Sequence, residues 1–468
     1  MLDESVSLPA WLYTLLWLAA GYAILVSVLF PSVRWFIHRR LNRAVDRLNT
    51  SLSIKIKPFQ QTKRQVLIDK LVFDPEVLAV IDEQARVTGL PRAALQEDVK
   101  RYAREIVPSF NAYVYYQLGY WFAKRISRFL YRIRVSAVNQ EVLETLDEDS
   151  TVVFIMNHRS NMDYLLICYL AAEQVTLSYA VGEWARVFPL ESLIRAMGAF
   201  FVRRGSQNPL YRKVLGRYVD MATQSGVCQA VFPEGGLSRD GNVAKPKIGF
   251  LDYMLRNYDY RTDRNITFIP VGINYDRVIE DKNLMHWDDK SRRSSNWHTF
   301  KRTLKFLRVN LFSGSRTRWQ RYGYAGVNFG IPFNMREYCE KNALVFKDMP
   351  LRERIPAITA LAEELMEAVR YVIPVLPVPV IASVFNINRG EGLRSLDVIA
   401  GSDRLIDEMI AAGAAIRPDQ KPRSRTITAA LDNLVHRHIL LEEHDVYRVN
   451  PAFECLIDYY ANSIRHWH

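Results

Sequence analysis

The chain has 468 residues, of which 49% are hydrophobic and 24% charged. That balance excludes a disordered chain and a polytopic membrane protein and allows two or three domains with a sizeable core. The four cysteines, Cys168, Cys228, Cys339 and Cys455, are widely spread with no Cys-x-x-Cys, which argues against zinc or a redox pair and fits a reduced compartment. A net charge of +12 admits nucleic acid, an anionic membrane or an acidic protein. With no recognisable nucleic-acid module, the membrane ranks first and nucleic acid is not expected as a partner.

Residues 8–30 are uncharged and rich in Leu, Ala, Val, Trp and Tyr. At about 1.5 Å per residue such a helix just spans a hydrocarbon core of about 30 Å. Trp11, Tyr13 and Trp17 lie towards one end and Trp35 follows the other, as in an aromatic belt. Asp3 and Glu4 precede the run, and Arg34, Arg39, Arg40, Arg43 and Arg47 follow it. The positive-inside rule then expects the bulk of the chain on the cytoplasmic side of the inner membrane. The alternative is a hairpin or a monotopic helix lying in one leaflet. Residues 34–64 stay basic and suit anionic lipid headgroups, at about 1 kcal/mol per basic residue near the surface.

Asp74-Pro75 reads as a helix cap, Gly89-Leu90-Pro91 as a break, and a second helix is expected to reach Ile106 before Pro108. An aromatic-rich helical stretch follows from Phe110 to Tyr131. Beyond it, strand-like runs at 152–156, 176–181, 199–202, 229–232 and 266–271 alternate with helix-like segments at 164–173, 190–197, 211–223 and 250–257. That alternation predicts an α/β domain with a mostly parallel sheet flanked by helices. Residues 297–312 predict a basic amphipathic helix. After Pro350 the chain reads as mainly helical, with a hairpin at 439–449 and a last helix. The expected organisation is a membrane anchor over 1–33, a basic segment and helical domain over 34–140, the α/β domain over 141–340 and a helical region over 341–468.

Chemistry concentrates at the strand ends. The run Val152-Val153-Phe154-Ile155-Met156 stops at Asn157-His158, and Asp163 opens the next helix. A turn of that length brings His158 and Asp163 within hydrogen-bond reach, and a carboxylate-held imidazole is a fixed-tautomer general base. Gly198-Ala199-Phe200-Phe201-Val202 delivers Arg203 and Arg204 to a strand tip, where planar forks suit a phosphate. Phe232-Pro233-Glu234-Gly235-Gly236-Leu237-Ser238-Arg239-Asp240-Gly241 ends another strand in a carboxylate, two glycines and an arginine, with Lys247 close behind. Phe268-Ile269-Pro270-Val271-Gly272-Ile273 carries a proline that points to an edge or end strand.

In this order, the blocks around His158, the GAFFVRR stretch, the FPEGGLSRDG stretch and the FIPVGINYDR stretch resemble the glycerolipid acyltransferase superfamily. They are most similar to its glycerol-3-phosphate and dihydroxyacetone-phosphate acyltransferase branch. Residues 327–333 and 459–463 look like that branch too, so the resemblance covers roughly residues 75–468. It departs at Leu237, where the branch usually has Arg.

The resemblance implies a membrane-bound acyltransferase with His158 and Asp163 as the catalytic pair. Arg159, Arg203, Arg204, Glu234, Gly235, Gly236, Ser238, Arg239, Lys247 and Pro270 would shape the substrate site. It implies transfer from acyl-CoA or acyl carrier protein to the sn-1 hydroxyl of glycerol 3-phosphate, without metal, cofactor or covalent acyl-enzyme. Two alternatives stand beside it: a lysophosphatidate acyltransferase, and a membrane-anchored lipid-binding protein with a dead acyltransferase fold. Intact His158 and Asp163 argue against the last.

Overall fold

The structure, a computed structural model, describes residues 9, 11, 13–15, 17–18, 56–135, 149–171, 175–182, 186, 190–203, 205–281, 322–417 and 422–468. Contacts divide the chain into two compact units, Met1–Leu52 and Ser53–His468. Among the described residues no helix is long and apolar enough to cross a membrane. Most of the expected span at 8–30, the basic stretch up to residue 55 and the expected helix at 297–312 lie outside the described residues.

In the larger unit two helices, Pro58–Gln61 and Arg64–Val72, precede the expected cap. Asp74 caps the helix Pro75–Thr88, accepting from the N–H groups of Glu76 at 3.0 Å and Val77 at 3.3 Å, with Pro75 pre-set in the first turn. Gly89 ends the helix in a left-handed conformation, φ 70°. The next helix, Arg92–Ile106, buries Leu95, Val99, Tyr102, Ala103 and Ile106 along one face. The aromatic stretch is a π turn, Val114–Gly119, running into the α-helix Tyr120–Leu130.

Strands β1 (Arg132–Val135), β2 (Thr151–Met156), β3 (Ser178–Gly182), β4 (Phe200–Val202), β5 (Gln229–Val231), β6 (Ile266–Tyr275), β7 (Tyr324–Phe329) and β8 (Phe333–Asn334) form one sheet. Its order is β1-β7-β6-β2-β5-β3-β4, with β8 also on β6. From β6 to β4 every pairing is parallel, while β7 and β8 run antiparallel to β6. All six residues of β2 are buried, because the strand is central and covered on both faces. Val153 and Ile155 join a core with Leu210, Val214, Leu361 and Leu365, and the alternate Phe154 packs on Phe329, ring centroids 6.2 Å apart. Burying each such side chain contributes roughly 1.5–3 kcal/mol.

Pro270 departs from the expectation of an edge or end strand, since β6 lies between β2 and β7. The reason is a change of neighbour. Phe268 pairs with β8 and Val271 with β7, so the missing N–H of Pro270 falls at the changeover, and its carbonyl accepts from Gly330 N–H at 2.7 Å.

The C-terminal stretch is built round the helix Pro377–Ile387, which is buried from Pro377 to Phe385 as an interior helix must be. Helices Ser395–Ala411, Arg423–His436 and Glu454–Asn462 pack on it. The expected hairpin forms from β10 (Leu440–Glu443) and β11 (Val446–Val449), which also pairs with β9 (Leu393–Arg394). His444 and Asp445 at its turn both take positive φ.

Candidate active site

The carboxyl ends of β2 and β5 lie side by side, and the loops that leave them meet. Asn157 makes the exit from β2. Its amide donates to the Ile273 carbonyl and accepts from the Ile273 N–H, both at 2.8 Å, so a side chain continues the β2–β6 ladder where the backbone has turned away. His158 follows, with Nδ1 2.9 Å from Asp163 Oδ2. The same Oδ2 accepts the backbone N–H groups of Arg159 at 2.7 Å and Ser160 at 3.0 Å, while Oδ1 accepts the Tyr275 hydroxyl at 2.6 Å. Asp163 sits in the first turn of the helix Met162–Ala171, where the helix dipole also favours its charge. With Nδ1–H given to Asp163, Nε2 is the ring nitrogen that carries the lone pair.

A strand-tip histidine would be expected at the surface, but His158 is only 2% exposed. Its ring lies 4.2 Å from that of Phe232 and 5.4 Å from that of Tyr164, centroid to centroid. Glu234, on the loop after β5, accepts the His158 N–H at 2.8 Å with one oxygen and the Ala244 N–H at 3.0 Å with the other. The Ser238 N–H returns a bond to the His158 carbonyl at 2.8 Å. Burial raises the Glu234 carboxyl above its usual range, against the opposing pull of these two N–H groups and of Arg159.

Gly235 turns this loop at φ 69°, and the Lys247 side chain lies across it. A Cβ on Gly235 would come within 2.8 Å of Lys247 Cδ and 3.0 Å of its Nζ. Ser238 spends its hydroxyl inside the loop, donating to the Asn242 carbonyl at 2.7 Å and accepting from Gly241 N–H at 3.1 Å. Gly236 is half-buried beside it, and Arg239 and Lys247 are exposed.

The other sequence-derived residues stand elsewhere. Arg203 lies at the end of β4, three strands across from β2 or about 14 Å at the usual spacing. Its fork is taken by Glu105, Nε to Oε1 at 2.8 Å and Nη2 to Oε2 at 2.6 Å. Arg204 lies outside the described residues. Arg159 is 1% exposed and turns its guanidinium towards Tyr459. Pro270 pairs with Ile155 inside the sheet, below the strand ends. Cys168 and Cys228 are poor nucleophiles, since burial pushes both thiols up to about 12. Among the described residues no group of three His, Cys, Asp or Glu side chains could hold a metal ion.

Three participants escaped sequence reasoning. Tyr275 lies in the NYDR stretch but reaches Asp163 only through the fold. Its hydroxyl is pushed well above its ordinary value, first by burial and then by the Asp163 charge, so it acts as a donor. Glu280 accepts from Ser160 Oγ at 2.7 Å and from the Asn161 backbone N–H at 3.1 Å and side-chain amide at 2.9 Å, holding the outer half of the His158 loop. Glu105 comes from the helix Arg92–Ile106, in which no motif pointed to chemistry.

Residues 134–274 match the Acyltransferase family, and residues 309–468 match the Glycerol-3-phosphate acyltransferase C-terminal region. A glycerol-3-phosphate acyltransferase of Aeromonas hydrophila is 30% identical over 311 residues, 65% of this chain and 37% of that protein. Its counterpart in Xanthomonas campestris is 26% identical over 415 residues, 86% of this chain and 46% of that protein. The chain thus spans half or less of the length of these curated relatives. A crystal structure of the 1-acyl-sn-glycerophosphate acyltransferase from Thermotoga maritima aligns at 18% identity over 65% of this chain and 98% of that one, but its TM-score of 0.29 carries no argument.

Proposed function

We propose, from the premise that the chain belongs to the glycerol-3-phosphate acyltransferase branch of the glycerolipid acyltransferases, that it moves a fatty acyl group from an acyl thioester to the sn-1 hydroxyl of glycerol 3-phosphate. The product is lysophosphatidate, an intermediate of phospholipid synthesis. The observation that carries the reading is the His158 Nδ1 to Asp163 Oδ2 contact of 2.9 Å, joined through Glu234 to the loop after β5.

His158 Nε2 takes the proton of the acceptor hydroxyl as the oxygen attacks the thioester carbonyl. Asp163 stabilises the imidazolium that forms. Backbone N–H groups meet the developing oxyanion. The tetrahedral intermediate collapses, the carbon–sulfur bond breaks, and the departing thiolate recovers a proton from His158. The protein supplies no nucleophile in this scheme, in keeping with the two raised thiols.

For the acceptor's phosphate we assign Arg239 and Lys247, exposed beside the Gly235 turn, with Arg204 a further candidate by sequence. Arg203 takes part only if the acceptor draws it from Glu105. The donor is acyl-CoA or acyl carrier protein. Residues 8–30 and the arginines after them favour attachment to the inner membrane, with the catalytic unit on the cytoplasmic side and anionic lipids as partners.

A second reading, acylation of lysophosphatidate, is favoured by one feature. Leu237 stands where the branch usually carries Arg, and Arg203 is already paired, so fewer cations face a small dianion. Pure full-length protein is incubated with labelled acyl-CoA or acyl carrier protein and each acceptor in turn. Label on glycerol 3-phosphate supports the first reading, label only on lysophosphatidate the second, and no transfer to any acceptor sinks both.

A further inference from the structure

We propose that residues 459–463 brace the two loops of the acyl-transfer site from behind, and that Arg159 is the tie through which they hold His158 and Asp163 in position. Arg159 is thereby a positioning residue, where sequence resemblance made it a substrate ligand. Its backbone N–H donates to Asp163 Oδ2 at 2.7 Å. Its side chain leaves in the direction of the C-terminal helix. The guanidinium lies over the Tyr459 ring, 5.8 Å from the centroid, and Nη2 reaches the Ser463 carbonyl at 3.5 Å.

Among the described residues no carboxylate forms a salt bridge with Arg159, and its Nε and Nη1 are buried without a hydrogen-bond partner. What the side chain does achieve is a link between the base loop and a helix 304 residues further along the chain.

Other ties from the same short segment reach the second loop and the sheet. Asn462 Nδ2 donates to the Asp240 carbonyl at 2.8 Å. The loop backbone at Gly241, φ 88°, lies so close to the helix that a Cβ would fall 1.9 Å from the Tyr459 carbonyl oxygen. Asn274 Nδ2 lies 3.2 Å from Ser463 Oγ, one residue beyond the Ile273 that Asn157 pairs with. The two loops are already joined by the bonds between His158, Glu234 and Ser238. A brace that grips both therefore sets the distance from base to acceptor. Ordinary packing of a terminal helix would leave that distance indifferent to the Arg159 fork.

The proposal rests on the acyl-transfer reading for its kinetic arm and is independent of it for its structural arm. The full-length Arg159→Met, Arg159→Lys and Asn462→Ala variants are compared with wild type by steady-state kinetics, thermal melting and hydrogen exchange. In Arg159→Met, kcat is expected to fall by about tenfold to a hundredfold, with KM for both substrates within about threefold of wild type, as for a misplaced reacting group. Arg159→Lys, which keeps the charge but not the fork, falls between. Asn462→Ala removes one hydrogen bond near the surface and serves if Arg159→Met fails to fold. Its kcat is expected to fall by about threefold, with faster exchange at residues 157–163 and 234–242. Unchanged kcat and exchange in the folded variants overturn the brace. So does a KM for acceptor raised at constant kcat, which makes Arg159 a ligand. Wild type inactive on every acceptor defeats the acyl-transfer reading alone, and the exchange comparison still decides the brace.

Discussion

Tyr275 gives its hydroxyl proton to Asp163 Oδ1 at 2.6 Å, on the opposite oxygen from the one that meets His158. With two backbone N–H groups also on Oδ2, the carboxylate is saturated, and its orientation is fixed from both sides. Tyr275→Phe leaves Oδ1 buried without a donor, at a cost of about 1–3 kcal/mol. The expected outcome is a lower melting temperature and a kcat reduced by about tenfold, with both KM values little changed. Steady-state kinetics beside a thermal melt checks it. An unchanged kcat shows that His158 and the two backbone N–H groups orient the acid without Tyr275.

His158→Gln and Asp163→Asn are expected to lower kcat by about a hundredfold or more, since each removes general base catalysis or the charge that stabilises the imidazolium. His158 is packed against Phe232, so His158→Gln also loosens the site and lowers the melting temperature while the chain stays folded. Circular dichroism establishes the fold before turnover is measured. Near-normal turnover in folded His158→Gln protein ends the proposed mechanism.

What the sequence made legible was local. A charge-free β-branched run, a histidine at its end and an acid at the next helix start define β2 and the His158–Asp163 pair within thirteen residues. The Asp74 cap and the hairpin before the last helix were legible for the same reason. What escaped was set by strand order. Glu234 reads as an acid beside a glycine turn, and only the adjacency of β2 and β5 makes it the clamp on the His158 N–H. Tyr275 lies 112 residues from Asp163, and Glu105 lies 98 from Arg203, so no spacing rule joins them. Pro270 was misread because an interior strand changes partner beside it.

The Glu105–Arg203 pair makes a prediction about pH. Burial raises the Glu105 carboxyl, but hydrogen bonds from Arg203 and Arg186 outweigh it and hold the group below its usual range. A depressed folded value means that the pair's stabilisation is present above the unfolded value and is lost as the pH falls through the folded one. Glu105→Gln is therefore expected to melt below wild type at pH 7, with the gap closing as the pH falls below the ordinary glutamate value of about 4.3. Melting curves at several pH values read this directly, and a gap that persists into acid shows that shape, not charge, was lost.

The acceptor is decided by which cations it uses. Glycerol 3-phosphate has almost no apolar surface, so its affinity has to come from charge-assisted hydrogen bonds, each worth about 1.5–3 kcal/mol. Arg239 and Lys247 are exposed beside the Gly235 turn, on the loop whose Glu234 holds the His158 backbone. Arg203 already donates two bonds to Glu105, so recruiting it means breaking both. Arg239→Ala and Lys247→Ala are each expected to raise KM for glycerol 3-phosphate by about tenfold or more, with KM for the acyl donor unmoved. Arg203→Ala is expected to lower the melting temperature and shift that KM by less than about threefold, since it loses an ion pair rather than a ligand. A larger KM effect from Arg203→Ala means that the acceptor does pull it from Glu105. If the enzyme ignores glycerol 3-phosphate and acylates lysophosphatidate, Leu237 is the residue that decided the acceptor, with an apolar side chain where a small dianion needs a cation.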